Sequence, residues 1–362
     1  MPDVTQRDPA ATAATLSEWL ATRLPQGASP VVAEVEAPAS NGFSNETILC
    51  RASWQSGGGA EERRMVVRVH PTRHLLFLDA DFSVQYRVMR ALHDAGAGVP
   101  LPTLRWYEDD PQWLGVPFFV MDFVDGQVPS DNMPYTMEGW VVDATFEQQS
   151  RMWWGGIEAL AAVHRVDWRQ AGLGWLAETP QAKNGLQSQL DYYRRFLDWA
   201  ANGRHQPVAE ATWAWLLDNR PSDESEPVLC WGDSRVGNII WDDFTPRAVL
   251  DWEMATIGPP ELDLGWWLYF DRQFTEGLGV RRPPGFGDHD ATVERYVELL
   301  GRPVRDLFYY EVFSGFRFAI VMARLTDLLV GSEVLPADTD MGTNNLATQF
   351  LAQLLDLPSP AG

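Results

Sequence analysis

A polar loop between two apolar segments carries the residues of this sequence that are best suited to chemistry. Residues 229–241 begin and end with apolar strand-forming residues, and their polar centre contains Asp233 and Asn238. Thirteen residues after Asn238, Asp251 ends a second apolar segment, residues 249–250. Loops on a rigid scaffold present polar side chains to ligands, so one hairpin can bring Asp233, Asn238 and Asp251 together.

These three residues suit the transfer of a phosphoryl group to a hydroxyl. Such a reaction needs a carboxylate that orients and deprotonates the attacking hydroxyl, a role that fits Asp233. It also needs Mg²⁺, a hard cation that prefers oxygen ligands such as those of Asn238 and Asp251. Each residue taken alone is more simply interpreted as a turn or capping residue. The spaced combination favours phosphoryl transfer.

Composition and the missing motifs exclude several other classes of protein. No Ser/His/Asp hydrolase motif and no Gly-x-x-x-x-Gly-Lys motif occurs. Cys50 and Cys230 lie in apolar runs, and no Cys/His cluster has zinc-ligand spacing. A net charge of −22 disfavours binding to nucleic acid or to anionic membranes. The sequence has no signal segment and no apolar run of about 18 residues, so we expect a cytoplasmic protein. The sequence does not indicate its oligomeric state.

The first third of the chain has the periodicity of a short helix followed by a sheet. Strands are predicted at residues 31–36, 46–54, 64–70, 103–107 and 117–124. The glycine-containing residues 55–63 are interpreted as a loose hairpin loop, and residues 81–95 as an amphipathic helix. We therefore predict a largely antiparallel five-stranded sheet that carries one helix.

After Gly126 helical periodicity dominates. Helices are predicted at residues 146–164, 185–202, 209–219, 260–274 and 306–331. The exception is the strand-rich stretch that contains Asp233 and Asp251. These patterns predict an N-terminal domain of residues 1–124 and a helical C-terminal domain of residues 125–362.

The motif Gly-Asp-x-x-x-x-Asn at residues 232–238 resembles the catalytic loop of the aminoglycoside phosphotransferase family. Asp-Trp-Glu at residues 251–253 and the segment 260–266 resemble the metal-binding segment of that family and its continuation. Members of the family are relatives of protein kinases. The resemblance implies an α+β, protein-kinase-like bilobal fold with an antiparallel-sheet N-lobe and a mainly helical C-lobe.

The resemblance also implies roles for individual residues. Asp233 would be the catalytic base, and Asn238 and Asp251 would be the Mg²⁺ ligands. Asp263 matches the acid that supports the catalytic loop. Trp231 stands where the family usually has a histidine.

In the N-terminal domain the resemblance is less close. The nucleotide-binding positions that it implies are Gly42, Ser44, Thr47, Arg68, Gln85, Met121 and Phe123. Arg68 stands where the family commonly has a lysine that binds phosphates, and Arg can grip phosphate with two nitrogens. Gln85 replaces the expected glutamate and cannot form an ion pair. Without the resemblance, Gly42 would belong to an ordinary hairpin and Arg68 would equally well face solvent.

The reaction implied is transfer of the γ-phosphoryl group of ATP or GTP to a small-molecule hydroxyl. Asp198 and Glu311 are candidates for binding a cationic acceptor, although a solvated acidic face explains them as well. The loop at residues 42–47 and the strand around Arg68 resemble a subgroup, the kinase domains of acyl-CoA-dehydrogenase fusion proteins, which favours a hydroxyacyl or other non-antibiotic acceptor. The alternative is a catalytically weak pseudokinase with a regulatory or interaction role, suggested by Arg68 and Gln85.

Overall fold

The computed structural model of the chain describes residues 7–37, 46–71 and 75–360. Its contacts divide the chain into two compact units. The first consists of Met1–Tyr86, Pro102–Val124 and Leu328–Pro336, and the second of Arg87–Leu101, Asp125–Asp327 and Ala337–Gly362. Each unit is thus assembled from more than one stretch of the chain.

The first unit is built on a five-stranded sheet. Its strands are β1 (Val31–Glu36), β2 (Glu46–Ser56), β3 (Gly59–Val69), β4 (Leu104–Glu108) and β5 (Phe118–Asp122). They lie in the order β1-β2-β3-β5-β4, and every neighbouring pair is antiparallel. Helix α1 (Pro9–Ala21) precedes the sheet, and α2 (Ser83–Asp94) lies between β3 and β4 in the chain. The predicted antiparallel sheet is confirmed.

The core of this unit follows from the alternation of β3. Met65, Val67 and Val69 are buried because every second side chain of a strand points to the same face. They belong to one apolar cluster with Trp19 of α1 and Phe118 of β5. The rings of these two aromatic residues pack edge to face with centroids 4.9 Å apart.

The hairpin between β2 and β3 corrects one prediction. Residues 55–63 do not form a loose loop, because the ladder continues to the pair of Ser56 and Gly59 and leaves a two-residue turn. The stretch has few apolar residues to signal a strand. Opposite charges help to hold it instead, as in the 2.6 Å ion pair between Arg51 of β2 and Glu62 of β3.

The second unit is mainly helical. Its helices are α3 (Phe146–His164), α4 (Gly174–Ala177), α5 (Leu186–Ala201), α6 (Pro207–Asp218), α7 (Glu261–Gln273), α8 (His289–Leu300), most of α9 (Leu307–Gly331) and α10 (Leu346–Leu354). The five predicted helices are present, with ends within two residues of those predicted. Helices α4, α8 and α10 were not predicted, although Asp288 caps the start of α8 and Gly301 ends it. None of the helices in the described ranges combines the length and apolar character needed to cross a membrane.

Two small antiparallel sheets lie between α6 and α7 in the chain. Their strands are β6 (Val228–Cys230), β7 (Ile239–Asp242), β8 (Thr245–Val249) and β9 (Thr256–Gly258). β7 pairs with β8, and this hairpin is nested within the pair of β6 and β9. Asp243 and Phe244 connect β7 to β8 with φ values of 45° and 59°. Positive φ at both central residues is typical of the two-residue type I′ turn, whose twist matches that of paired strands.

Candidate active site

The nested strands bring Asp233, Asn238 and Asp251 to the open end of the β7–β8 hairpin. Asn238 ends a short 3-10 turn directly before β7, and its Nδ2 donates to the carbonyl of Asp233 at 3.0 Å. Asp251 follows β8, and the preceding residue, Leu250, donates its N–H to the carbonyl of Asn238 at 2.9 Å. The structure therefore places together the three residues that their spacing singled out.

Asp263 binds the backbone of the loop that carries Asp233 through several hydrogen bonds. Its buried carboxylate accepts the N–H groups of Trp231 at 2.6 Å and of Gly232 at 2.8 Å, and its carbonyl accepts the hydroxyl of Ser234 at 2.8 Å. Gly232 has φ of +96°, and a Cβ there would collide with the carbonyl of Met254. Only glycine fits this backbone, from which the chain continues into Asp233.

The carboxylate of Asp233 is fixed through one of its two oxygens. Oδ1 accepts a hydrogen bond from Nε1 of Trp266 at 2.8 Å and another from Nε of Arg235 at 3.0 Å. Among the described residues none donates to Oδ2, and the side chain is 18% exposed. One oxygen is therefore held by the protein, and the other is available to a ligand.

Arg235 lies among carboxylates beside this residue. Its guanidinium bonds to Asp131 as well as to Asp233, and lies 5.4 Å from the ring centre of Phe270. Burial alone would lower the pKa of Arg235, but the charges of Asp131, Asp233 and Asp251 outweigh burial and raise that pKa. Arg235 is therefore a permanent cation at the loop.

Asn238 and Asp251 have the donor atoms that suit Mg²⁺. The Nδ2 of Asn238 is taken by the carbonyl of Asp233, so the amide is oriented with its oxygen Oδ1 free of donors among the described residues. Asp251 adopts a left-handed conformation, with φ of 55°, just beyond β8. An amide oxygen beside a carboxylate is a hard oxygen pair of the kind that binds Mg²⁺.

A second cluster, His164, Cys230 and Asp263, has the spacing of a metal site but the chemistry of a structural one. His164 Nε2 lies 2.9 Å from Asp263, and Nδ1 bonds to the hydroxyl of Tyr296. Burial raises the pKa of the Cys230 thiol well above its ordinary value, so the thiol stays protonated and points at backbone carbonyls. Metals bind the thiolate. The cluster instead ties α3 to the loop.

Two of the residues predicted to bind nucleotide are in contact in the first unit. Nη1 of Arg68 on β3 donates to Oγ1 of Thr47 on β2 at 3.0 Å. The two residues face each other in the β2–β3 ladder. Gly42 and Ser44, predicted for the same site, lie outside the described residues.

Arg68 lies on the sheet face against which the rings of Phe82 and Tyr86 pack. Its other ladder partner is Phe119 of β5, and directly paired residues point to the same face. Phe119 packs against Phe82, the residue before α2, and against Tyr86 in its first turn, with centroids 5.5 and 5.8 Å away. Gln85 stands between them in the sequence and is buried, at 3% exposure.

Met121 and Phe123 lie at the end of β5. Met121 is buried in the strand, while the backbone N–H of Phe123 donates to the carbonyl of Arg64 at 3.0 Å. The guanidinium of Arg64 lies 3.6 Å from the ring centre of Phe123. The predicted contact of these side chains with a nucleotide base remains a prediction.

The two acids predicted for the acceptor differ in environment. Asp198 is 62% exposed and pairs with Arg194 one turn away on α5. Glu311 is 2% exposed, and its oxygens lie 2.8 Å from Arg272 and 2.9 Å from His289. Asp198 thus belongs to a solvated face, and both oxygens of Glu311 are engaged within the protein.

Sequence reasoning missed Trp266 and Arg235 as partners of Asp233. Arg235 gave a signal, because it is a charged residue two positions after Asp233 in the polar loop. Trp266 gave none, since it lies 33 residues further along in an apolar helix. Its indole N–H reaches Asp233 only because α7 packs against the loop that carries this residue.

Solved phosphotransferases share this fold. A Ralstonia eutropha JMP134 protein, provisionally described as an aminoglycoside phosphotransferase, has a TM-score of 0.70 at 22% identity, covering 96% of this chain and 99% of that one. The GDP and kanamycin complex of an APH(2″) enzyme gives 0.59 at 15% identity, covering 94% and 98%. These structures define a kinase-like fold with a sheet-rich N-terminal and a helical C-terminal region, so the predicted fold class is confirmed.

The sequence itself gives the family. The family model described as the phosphotransferase enzyme family matches residues 36–299, and the chain belongs to that family. Acyl-CoA dehydrogenase family member 11 of Gallus gallus is 33% identical over 230 residues, which are 63% of this chain and 27% of that protein. Member 10 of Mus musculus is 28% identical over 301 residues, 78% of this chain and 25% of that protein. The chain therefore spans about a quarter of these relatives, and the predicted resemblance is confirmed.

Proposed function

We propose that this protein transfers the γ-phosphoryl group of ATP or GTP to a hydroxyl of a small molecule. The observation that carries the proposal is the carboxylate of Asp233, which is held at Oδ1 by Trp266 and Arg235 while Oδ2 has no donor among the described residues. Membership of the phosphotransferase enzyme family supports the reaction class. The net charge of −22 supports a small-molecule substrate over nucleic acid. We expect the enzyme to be cytoplasmic.

In the proposed reaction, the acceptor hydroxyl donates its hydrogen bond to Oδ2 of Asp233. The hydroxyl oxygen forms a bond to the γ-phosphorus while the bond to the β,γ-bridging oxygen breaks. The proton passes to Asp233, and the nucleoside diphosphate leaves with the electron pair. Asp233 therefore orients the nucleophile and removes its proton.

Asn238 and Asp251 would hold Mg²⁺ with their side-chain oxygens. When bound, Mg²⁺ neutralises charge on the phosphates. In the first unit, Arg68, which also donates to Thr47, would bind phosphate oxygens with its guanidinium group. Gly42 and Ser44 would supply further N–H and hydroxyl donors, and Gln85, Met121 and Phe123 would complete the nucleotide site.

For the acceptor we favour a hydroxyacyl compound over an aminoglycoside. The relatives named acyl-CoA dehydrogenase family members 10 and 11 match this chain over 63 to 78% of its length. Glu311, already bound by Arg272 and His289, is poorly placed to bind a cationic acceptor. A phosphorylation screen of hydroxyacyl thioesters, other hydroxylated metabolites and aminoglycosides tests this choice.

The test of the mechanism is Asp233→Ala. We expect phosphoryl transfer to disappear while MgATP binding, measured by calorimetry, stays within about threefold of the wild type. Asp218→Ala on the surface of α6 is a matched control for loss of one carboxylate. Weakened nucleotide binding with unchanged turnover would contradict the assignment.

The alternative function is a nucleotide-binding pseudokinase. The observation that favours it is the neutral Gln85, buried on α2 at the position of the expected acid. Mg²⁺-dependent hydrolysis of ATP and GTP by the wild type and by Asp251→Ala separates the two proposals. Equal background rates in both proteins would favour the pseudokinase.

A further inference from the structure

Arg317 of α9 is a buried cation directly behind the catalytic loop. Its side chain belongs to a residue that is 3% exposed, and its Nη2 donates to the carbonyl of Gly232 at 3.0 Å. Its guanidinium lies 4.3 Å from the ring centre of Trp266. Within the described part of the chain it forms no ion pair, and its Nε has no hydrogen-bond partner.

The stability of the fold does not explain why an arginine occupies position 317. A buried charge costs stability unless it is paired and fully hydrogen-bonded, and apolar residues of similar volume often replace buried charges without loss. The rings of Tyr193, Trp266 and Phe313 around Arg317, with centres 4.3 to 5.9 Å away, offset only part of this cost. An apolar side chain would fill the same space among these rings.

Arg317 contacts two residues that hold Asp233 in place, Gly232 and Trp266. Gly232 is held from both sides, since its N–H donates to Asp263 at 2.8 Å and its carbonyl accepts from Arg317. Trp266, whose ring lies beside the guanidinium, donates its indole N–H to Oδ1 of Asp233. Arg317 therefore touches both the peptide before Asp233 and the ring that fixes its carboxylate.

We propose that Arg317 is a positioning residue for Asp233, acting through the carbonyl of Gly232 and the indole of Trp266. The inference rests on the proposed phosphoryl transfer. Arg317 contacts neither nucleotide nor acceptor in this role. Its loss lets the carboxylate shift, and a shift of about 1 Å in a reacting group can cost about 100-fold in rate. The effect therefore falls on kcat, with little change in KM for nucleotide.

The same helix offers a matched control. Arg324 lies two turns further along α9, and its guanidinium is also 4.3 Å from a tryptophan ring, that of Trp199. It lies outside the loop that carries Asp233. Arg324→Met removes the same chemical group from the same helix, so it reports any general effect of such a change.

The test compares steady-state MgATP hydrolysis, with water as acceptor, and thermal unfolding of the full chain. We expect Arg317→Met to lower kcat about 10- to 100-fold, to leave KM for MgATP within about twofold, and to leave the unfolding temperature unchanged or raised. Arg317→Lys should recover part of the rate, because an ammonium can also donate to the Gly232 carbonyl. Arg324→Met should hydrolyse MgATP like the wild type.

A double variant strengthens the test. Trp266→Phe keeps the ring but removes the N–H, and its effect combined with Arg317→Met should be less than additive because both act on Asp233. The inference is overturned if Arg317→Met and Arg324→Met have the same kcat for MgATP hydrolysis. It is also overturned if the lower kcat of Arg317→Met is explained by a lower unfolding temperature. A wild type without Mg²⁺-dependent hydrolysis overturns the proposed function itself, a result distinct from these.

Discussion

The imidazole Nε2 of His289 lies 2.9 Å from Oε1 of the buried Glu311, and this contact joins the start of α8 to α9. The other oxygen of Glu311 accepts from Arg272 of α7 at 2.8 Å. Three helices of the second unit therefore meet at one carboxylate. Stability in this region should depend on the charge of the histidine.

The pH dependence of that contribution follows from the pKa of His289, which the hydrogen bond to Glu311 raises above its ordinary value. Because the folded pKa is the higher one, the stabilisation is complete below the unfolded pKa of about 6.5 and is lost as the pH rises through the folded pKa. We expect the difference in unfolding temperature between wild type and His289→Gln to be large near pH 6 and to shrink at alkaline pH. As a control, His93→Gln changes an exposed histidine and should differ little from the wild type in unfolding temperature at any pH. The prediction would be contradicted if the difference in unfolding temperature for His289→Gln grew with pH.

Asp263→Asn should destabilise the protein and abolish transfer. An amide has only one acceptor oxygen, so it cannot accept from Trp231, Gly232 and His164 as the carboxylate does. We expect a loss of about 3 kcal/mol in the free energy of unfolding, measured in urea. Asp288→Asn, at the cap of α8, should lose well under about 1 kcal/mol, because Asn caps helices as well as Asp. Similar losses in both variants would be inconsistent with a supporting role for Asp263.

Gly232→Ala should be far more harmful than Gly301→Ala. Both glycines have positive φ, +96° and +76°. A Cβ at Gly301 meets no atom within 4 Å, so only backbone strain of about 1 kcal/mol is expected there. A Cβ at Gly232 meets the backbone of Met254, so the loop must move. We expect Gly232→Ala to be inactive and at least twice as destabilised in urea; an active Gly232→Ala would show that the loop tolerates displacement.

Trp231→Phe should weaken the response to Mg²⁺. The indole N–H of Trp231 donates to the carbonyl of Leu250 at 2.7 Å and so ties the loop of Asp233 to the residue before Asp251. Without this bond, we expect the Mg²⁺ concentration for half-maximal MgATP hydrolysis to rise severalfold. Trp153→Phe removes a comparable indole bond, to Thr292 at 3.0 Å, away from the loop and should leave that concentration unchanged. Equal shifts in the two variants would indicate a general packing effect.

The sequence was informative where the signal is local. Regular apolar spacing defined α3 to the residue, and the strand pattern around Arg68 gave the antiparallel sheet. The spacing of Asn238 and Asp251 was sufficient because the β7–β8 hairpin that joins them is short. Helix α8 was missed although its capping residues are clear, since its apolar face is narrow and polar residues fill the rest of its surface.

What depends on packing between distant segments was not predictable. Arg317 lies 85 residues from Gly232 in the sequence, and most residues around it in α9 are apolar. No pattern in the sequence therefore indicates that the two residues are in contact. Glu311 was considered for an acceptor site because it is acidic, but its environment is decided by Arg272 and His289 on other helices. Pairings of this kind follow from how α7, α8 and α9 pack, which periodicity does not specify.

The nested pairing of β6 with β9 around the β7–β8 hairpin also bears on how the protein folds. A two-residue turn closes the inner hairpin, and the outer strands then pair across a short stretch, Val228 with Gly258. Closing a short loop costs little chain entropy, and contacts between nearby residues form quickly. Asp233, Asn238 and Asp251 should therefore meet early in folding, before the distant contacts from Asp263 and Arg317 lock them in place.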